Sequence, residues 1–245
     1  MPGECLTIKR GEVMKTIGLI GGMSWESSLE YYRIINHNVK NILGGLHSAK
    51  SIMYSVDFAE IEKFQHKGEW NKLAVILTDA ALSLERAGAD FVLICTNTMH
   101  KVYEKVKAKI DIPLVHIADP TARAVQDAAI TKIGLLGTRF TMEDNFYKGR
   151  LEKEHKLDVM VPNKDQREVV HRVIYEELCH GLINPDSKSR FIDIINFLTD
   201  KGAGGIILGC TEIGLLIKQS DCDAPIFDTT QIHAQAAVEY ALAKY

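Results

Sequence analysis

The sequence predicts an α/β protein of two similar lobes, each built on a parallel sheet, with a ligand cleft between them. Three observations carry this expectation. Short β-rich apolar runs alternate with amphipathic segments that bear helix signals. Most runs are continuous rather than alternating, as strands buried on both faces of a parallel sheet require. The chain also matches itself in three blocks. Lys15-Thr16-Ile17-Gly18-Leu19-Ile20-Gly21 resembles Thr131-Lys132-Ile133-Gly134-Leu135-Leu136-Gly137, Ala87-Gly88-Ala89-Asp90 resembles Lys201-Gly202-Ala203-Gly204, and Pro113-Leu114-Val115 resembles Pro225-Ile226-Phe227. The order is kept and the displacement drifts by only a few residues, so convergent strand composition does not account for the common register.

The predicted strands are Lys15–Ile20, Ser51–Ser55, Phe91–Cys95, Pro113–Ile117, Lys132–Leu136, Leu157–Val161, Gly205–Leu208 and Pro225–Phe227. Helices fill the intervals. Ser27 with Glu30 reads as a capping box opening the first. Trp70 to Arg86 repeats apolar residues at three- and four-residue steps, and Asn196 to Lys201 stops at Gly202, a helix C-terminal signal. Residues 1–13 lack strand or helix patterning and are expected to be a disordered N-terminal extension. Residues 14–114 form lobe 1, completed by 224–245, and 115–223 form lobe 2.

Composition narrows the function. With 29 Lys+Arg against 32 Asp+Glu and a net charge of -3, the chain lacks the cationic excess that tracks phosphate backbones. Its apolar runs fall short of the roughly 20 residues that span a bilayer, and residues 1–13 show neither an apolar signal core nor a cleavage site. A cytoplasmic protein bound to neither nucleic acid nor membrane is expected. Five cysteines (Cys5, Cys95, Cys179, Cys210, Cys222) without a C-x-x-C pair and nine histidines without paired ligand spacing indicate no disulfide framework and no metal. Gly18–Gly22 does not match G-x-G-x-x-G, so a dinucleotide reading is weak.

Ligands of parallel α/β sheets bind beyond the carboxyl ends of the strands, which directs attention to four turns. These are Gly21-Gly22-Met23-Ser24, Thr96-Asn97-Thr98, Gly137-Thr138-Arg139-Phe140-Thr141 and Gly209-Cys210-Thr211-Glu212. The repeat sets Thr96 against Cys210 and Asn97 against Thr211, so the two equivalent residues should enter the cleft from opposite sides. A helix N-terminus behind Cys210 would lower its thiol pKa and favour a thiolate. Cys95, one residue earlier in its turn than Thr96, should point away into the core. Cys5, Cys179 and Cys222 have no chemical partner in sequence.

Gly-Gly-Met-Ser at 21–24, Asn97-Thr98-Met99-His100, the Thr138 and Thr141 pair, and Gly-Cys-Thr-Glu at 209–212 together resemble the aspartate/glutamate racemase family, over nearly all of the chain from Met14. Met14 to Glu26 and Cys95 to Lys101 are most similar to its L-aspartate/glutamate-specific, broad-specificity branch. Glu212 after Cys-Thr, where cell-wall glutamate racemases usually carry His, favours the aspartate side. The resemblance implies two Rossmann-like (flavodoxin-like) lobes related by pseudo-twofold symmetry, a homodimer, and cofactor-independent inversion of an amino-acid α-carbon. In the family one cysteine removes the α-proton and the opposite one returns a proton to the other face.

This chain departs at the first cysteine, which is Thr96. An alcohol is a far poorer base than a thiol, so the expectation is that Cys210 acts as base on the L enantiomer while Thr96 donates or relays the proton. Asn97, Thr98 and Thr211 are expected to hold the substrate's amino and carboxylate groups, Met23 and Ser24 to shape the opposite wall, and Thr138 and Thr141 to supply hydroxyls. Arg167 matches a side-chain carboxylate ligand, and Gln65, placed in a loop after the second strand, could close over the ligand. Each has a bland alternative: Thr138 and Thr141 as helix caps, Arg167 as a solvated helix-start charge, Gln65 as surface. His100 either orients the catalytic turn or is a satisfied core histidine. Maleate-isomerase-like or malonate-decarboxylase-like chemistry needs only one cysteine and stays open, as does a noncatalytic amino-acid sensor.

Overall fold

The computed structural model describes residues 14–243; the expected N-terminal extension lies outside them, as does Cys5. The first lobe contains β1 (Ile17–Gly21), α1 (Trp25–Leu43), β2 (Ser51–Ser55), α2 (Phe58–His66), α3 (Trp70–Arg86), β3 (Phe91–Ile94), α4 (Tyr103–Lys107) and β4 (Leu114–Val115). α5 (Ala118–Asp127) leads to the second lobe. There follow β5 (Lys132–Gly137), α6 (Arg139–Glu143), α7 (Lys148–Lys153), β6 (Asp158–Met160), α8 (Lys164–Glu176), α9 (Pro185–Asp200), β7 (Ile206–Gly209), α10 (Ile213–Leu216), β8 (Ile226–Asp228) and α11 (Thr229–Leu242).

The strands make two four-stranded parallel sheets, ordered β2-β1-β3-β4 and β6-β5-β7-β8. The same order in both halves is the structural form of the internal repeat. Each sheet carries helices on both faces, as buried parallel strands demand. On one face of the first sheet, Leu73, Leu77 and Leu84 of α3 pack on Ile20, Val92 and Ile94. On the equivalent face of the second, Val173, Ile194 and Leu198 pack on Leu136, Ile206 and Leu208. Fully burying each such side chain stabilises the fold by about 1.5–3 kcal/mol.

The remaining faces are covered by exchange. α11 leaves the second sheet and lays Ala234, Ala237, Val238 and Ala241 against Ile17, Leu19, Tyr31 and Phe91 of the first lobe. α5, following β4, lays Ala122 and Val125 against Ile133, Leu135 and Ile207 of the second. The small residues of α11 let it approach α1 closely. Each lobe therefore completes its core with a helix that follows the other lobe's last strand.

Three sequence expectations change. α1 begins at Trp25, with Ser24 as its cap accepting from the Ser27 amide, not at Ser27. β2 is a sheet edge, with Met53 and Tyr54 exposed rather than buried on both faces. Gln65 lies on α2 and is buried, not in a surface loop. Among the described residues no helix is long and apolar enough to cross a membrane.

Candidate active site

The four expected turns are tied to one another where the lobes meet. The first is a tight return from β1. Gly22 has φ +88°, a left-handed conformation, and a Cβ there would meet Ser55 Oγ at 2.7 Å. That turn delivers Ser24, whose hydroxyl caps α1 and donates to Glu212 Oε1 of the other lobe at 2.8 Å. Ser27 Oγ donates to the Cys95 carbonyl at 3.2 Å, binding the β1 and β3 turns together.

The turn after β3 presents Thr96, Asn97 and Thr98, all buried. Thr98 and Thr138 share a hydroxyl hydrogen bond across the lobes at 2.9 Å. Asn97 Nδ2 donates to Thr229 Oγ1 at 3.0 Å, and Thr229 passes its own proton to the Leu208 carbonyl of β7 at 2.7 Å. This commitment sets the Asn97 amide: its Nδ2 faces Thr229, and its Oδ1 is buried with no hydrogen-bond partner among the described residues. A buried orphan acceptor costs about 1–3 kcal/mol and suits an incoming donor such as an ammonium group.

After β7, Cys210 Sγ donates to Glu212 Oε2 at 3.0 Å, and Thr211 Oγ1 donates to the same oxygen at 2.7 Å. Glu212 is itself buried and receives donors from both lobes. Burial, then the neighbouring Glu212 carboxylate, pushes the Cys210 thiol well above its ordinary range. The expected thiolate is thus corrected to a neutral thiol, because only a four-residue helix (α10) stands behind it and its dipole is outweighed. The arrangement is a thiol with a carboxylate in place to take its proton.

His100 anchors the opposite turn. Its Nδ1–H donates to the Thr96 carbonyl at 2.8 Å, while Nε2 accepts from the Ile117 amide at 3.2 Å, which settles the tautomer. Burial lowers its pKa to about 4, so the ring is neutral. Cys95 is wholly buried beyond the end of β3, with its thiol pushed up by desolvation.

The other expected residues divide. Thr138 caps α6, accepting from the Thr141 amide at 3.3 Å, and also meets Thr98, so its capping and cross-lobe contacts coexist. Thr141 bonds Thr138 at 3.2 Å. The Thr211 hydroxyl donates to Glu212. Met23 packs into the first lobe's apolar cluster beside Met99. Arg167 lies inside α8, where it pairs with Glu143, the last residue of α6, at 2.7 Å and donates to the Pro162 carbonyl. Gln65 spans the lobes, accepting from Tyr175 OH at 2.9 Å and donating to Met99 Sδ at 3.1 Å.

Glu212, Thr229 and Tyr175 escaped the sequence reading as site residues. For Glu212 the signal was present, since a carboxylate two residues after the cysteine can turn back onto its sulfur. Thr229 and Tyr175 reach the site only through tertiary exchange and carry no local signal.

A family model for Asp/Glu/hydantoin racemases matches residues 20–237. The chain belongs to this racemase family. It is an isomerase by that membership. It is 25% identical over 179 residues to the broad specificity amino-acid racemase RacX of Bacillus subtilis, covering 70% of this chain and 73% of RacX. A crystal structure of a candidate Asp/Glu racemase from Yersinia pestis superimposes with TM-score 0.88 at 55% identity, over 94% of this chain and 100% of that one. An aspartate racemase homologue from Pyrococcus horikoshii gives TM-score 0.81 at 37% identity, over 93% of this chain and 99% of that one.

Proposed function

We propose that this racemase inverts the α-carbon of aspartate or glutamate without a cofactor, working from the L side with Cys210 as base and Thr96 as the opposing proton donor. The observation that carries the reading is the Cys210–Glu212 hydrogen bond, made inside the ring of turns that joins the lobes. A neutral thiol is not a base. Transfer of its proton to Glu212 Oε2 produces the thiolate at the moment a substrate excludes water, and the thiolate then removes the α-proton.

The rest of the ring supplies binding groups. Asn97 Oδ1, lacking a partner, accepts from the substrate ammonium. The Thr98 and Thr138 hydroxyls, bonded to each other, separate to donate to the α-carboxylate, where they also stabilise charge developing in the enolate-like transition state. Thr96 delivers its hydroxyl proton to the opposite face and regains one from water as Glu212 releases the proton it took, which resets the site. Because an alcohol does not match a thiol as base, removal of the D-enantiomer's proton is the slower direction. The soluble, cytoplasmic homodimer implied by family resemblance belongs to the same reading.

Proton NMR of L- and D-aspartate and of L- and D-glutamate in D₂O tests this with wild type and Cys210→Ser. The expected result is loss of the α-proton signal from the L forms with wild type and a fall of at least about 100-fold in the variant. Exchange surviving in Cys210→Ser removes Cys210 from the mechanism. Calorimetric binding without any exchange turns the reading toward a sensor, and faster exchange of the D forms reverses the assignment of faces.

A further inference from the structure

Above the ring of turns a cavity of about 760 Å³ opens between the lobes. Phe58, Glu62 and His66 of α2 line one side, and Glu168, His171 and Arg172 of α8 line the other, with Tyr175 and Cys179 also in the lining. Tyr175 and Cys179 pack in the same apolar cluster as Cys210. The Tyr175 hydroxyl reaches across to Gln65 on α2, and Gln65 in turn bonds Met99, the residue after the Thr96-Asn97-Thr98 turn. The Tyr175–Gln65 pair therefore links the cavity wall to the residue that follows the Thr96-Asn97-Thr98 turn. His66 meets the Tyr175 ring at a tilt and His171 meets it edge-on, with centroids at 5.2 and 4.8 Å.

Resting on the racemase reading above, we infer that the Tyr175–Gln65 bridge is the wall that limits the length of the substrate side chain. In this reading a short polar side chain stays on the Cys210 side of the bridge, against the Gln65 amide. Beyond it lies space far larger than an aspartate or glutamate needs, closed off by one ring and one amide. The walls of that space carry three carboxylates (Glu62, Glu168, Glu176), one guanidinium (Arg172) and three imidazoles (His66, His171, His180); Glu62 pairs with His66 and Glu168 with Arg139, and Glu176 stands beside them. A side chain long enough to cross, and positively charged at its end, is the chemistry those walls accept. Removing the wall should therefore extend the substrate range to lysine-length amino acids.

The test measures α-proton exchange of L-glutamate and L-lysine in D₂O with wild type, Tyr175→Ala, Tyr175→Phe and Gln65→Ala. A single methylene in a shaped pocket discriminates by about 10-fold or more. The kcat/KM for L-lysine itself should thus rise at least about 10-fold in Tyr175→Ala and in Gln65→Ala, and the lysine-to-glutamate ratio with it. In Tyr175→Phe the ring stays and the ratio should move much less. Should Tyr175→Ala misfold, Gln65→Ala breaches the same wall from the other lobe and decides alone. A kcat/KM for L-lysine that is unchanged in the folded wall variants, or raised equally by Tyr175→Phe, overturns the inference, even where the lysine-to-glutamate ratio rises because glutamate turnover falls. Absence of exchange with every amino acid in wild type strikes at the racemase reading instead.

Discussion

Glu212 is the side chain on which the chemistry turns, since it alone touches the thiol, its neighbouring hydroxyl and the opposite lobe. Replacing it with Gln keeps the size and the Ser24 contact but removes the proton acceptor. Glu212→Gln should lower kcat for L-aspartate by about 100-fold or more with a smaller change in KM, because the loss falls on proton transfer rather than binding. Steady-state kinetics separate the two parameters, and a pure KM effect would show that Glu212 binds substrate instead. Asn97 predicts the reverse split. Asn97→Ala removes the acceptor for the ammonium and should raise KM by about 10-fold or more, in line with roughly 1.5–3 kcal/mol for a hydrogen bond to a charged group. Thr96→Cys places a second thiol on the other face, so exchange of D-aspartate should rise relative to the L form.

At the scale of elements, the turns matter more than the strands they follow. Gly22 is the clearest case, because its positive φ and the Val56 backbone carbonyl behind it leave no room for a side chain. Gly22→Ala should cost about 1–3 kcal/mol in urea denaturation and shift Ser24 away from Glu212. Unchanged stability would show that the turn relaxes freely. The elements themselves were legible: all eight strands appear within a few residues of their apolar runs, and α3 spans Trp70–Arg86 as its periodicity indicates. The Ser27 cap failed because Ser24, three residues earlier, offers its oxygen to the Ser27 amide, and a sequence holds three serines in that stretch with nothing to rank them. The turns carrying Thr96 and Cys210 could be located from the repeat, while the state of the thiol could not. Its protonation depends on burial and on a carboxylate folding back, both tertiary facts. Arg167 shows the converse, a local pattern whose side chain is claimed by Glu143.

On the scale of the whole molecule, the exchange of α5 and α11 encloses three imidazoles near the junction of the lobes. His100 lies 4.5 Å from His116 and 6.1 Å from His233 between ring centroids. His233 Nε2 donates to the Val115 carbonyl at 3.2 Å, and its Nδ1 accepts from Tyr31 OH at 2.9 Å. Burial lowers His100 to about 4 and His233 to about 3, with His116 also held well below the ordinary 6.5. These rings fold neutral, whereas the unfolded chain takes up protons on them once the pH drops below 6.5. Stability should therefore be complete above about pH 6.5 and fall as the pH is lowered toward 4, each imidazole contributing up to about 1.4 kcal/mol per pH unit. His171, lowered by burial too, adds to the slope, while Asp228, whose burial raises its carboxyl, opposes it. Urea midpoints between about pH 6.5 and 5 cover the range in which unfolded imidazoles take up their protons. His233→Gln, which can keep both a donor and an acceptor, should flatten the slope by the share of one imidazole. A midpoint that holds level across that interval in wild type would mean that the lobes admit charge where they meet, and that the rings do not lock the turns beneath them.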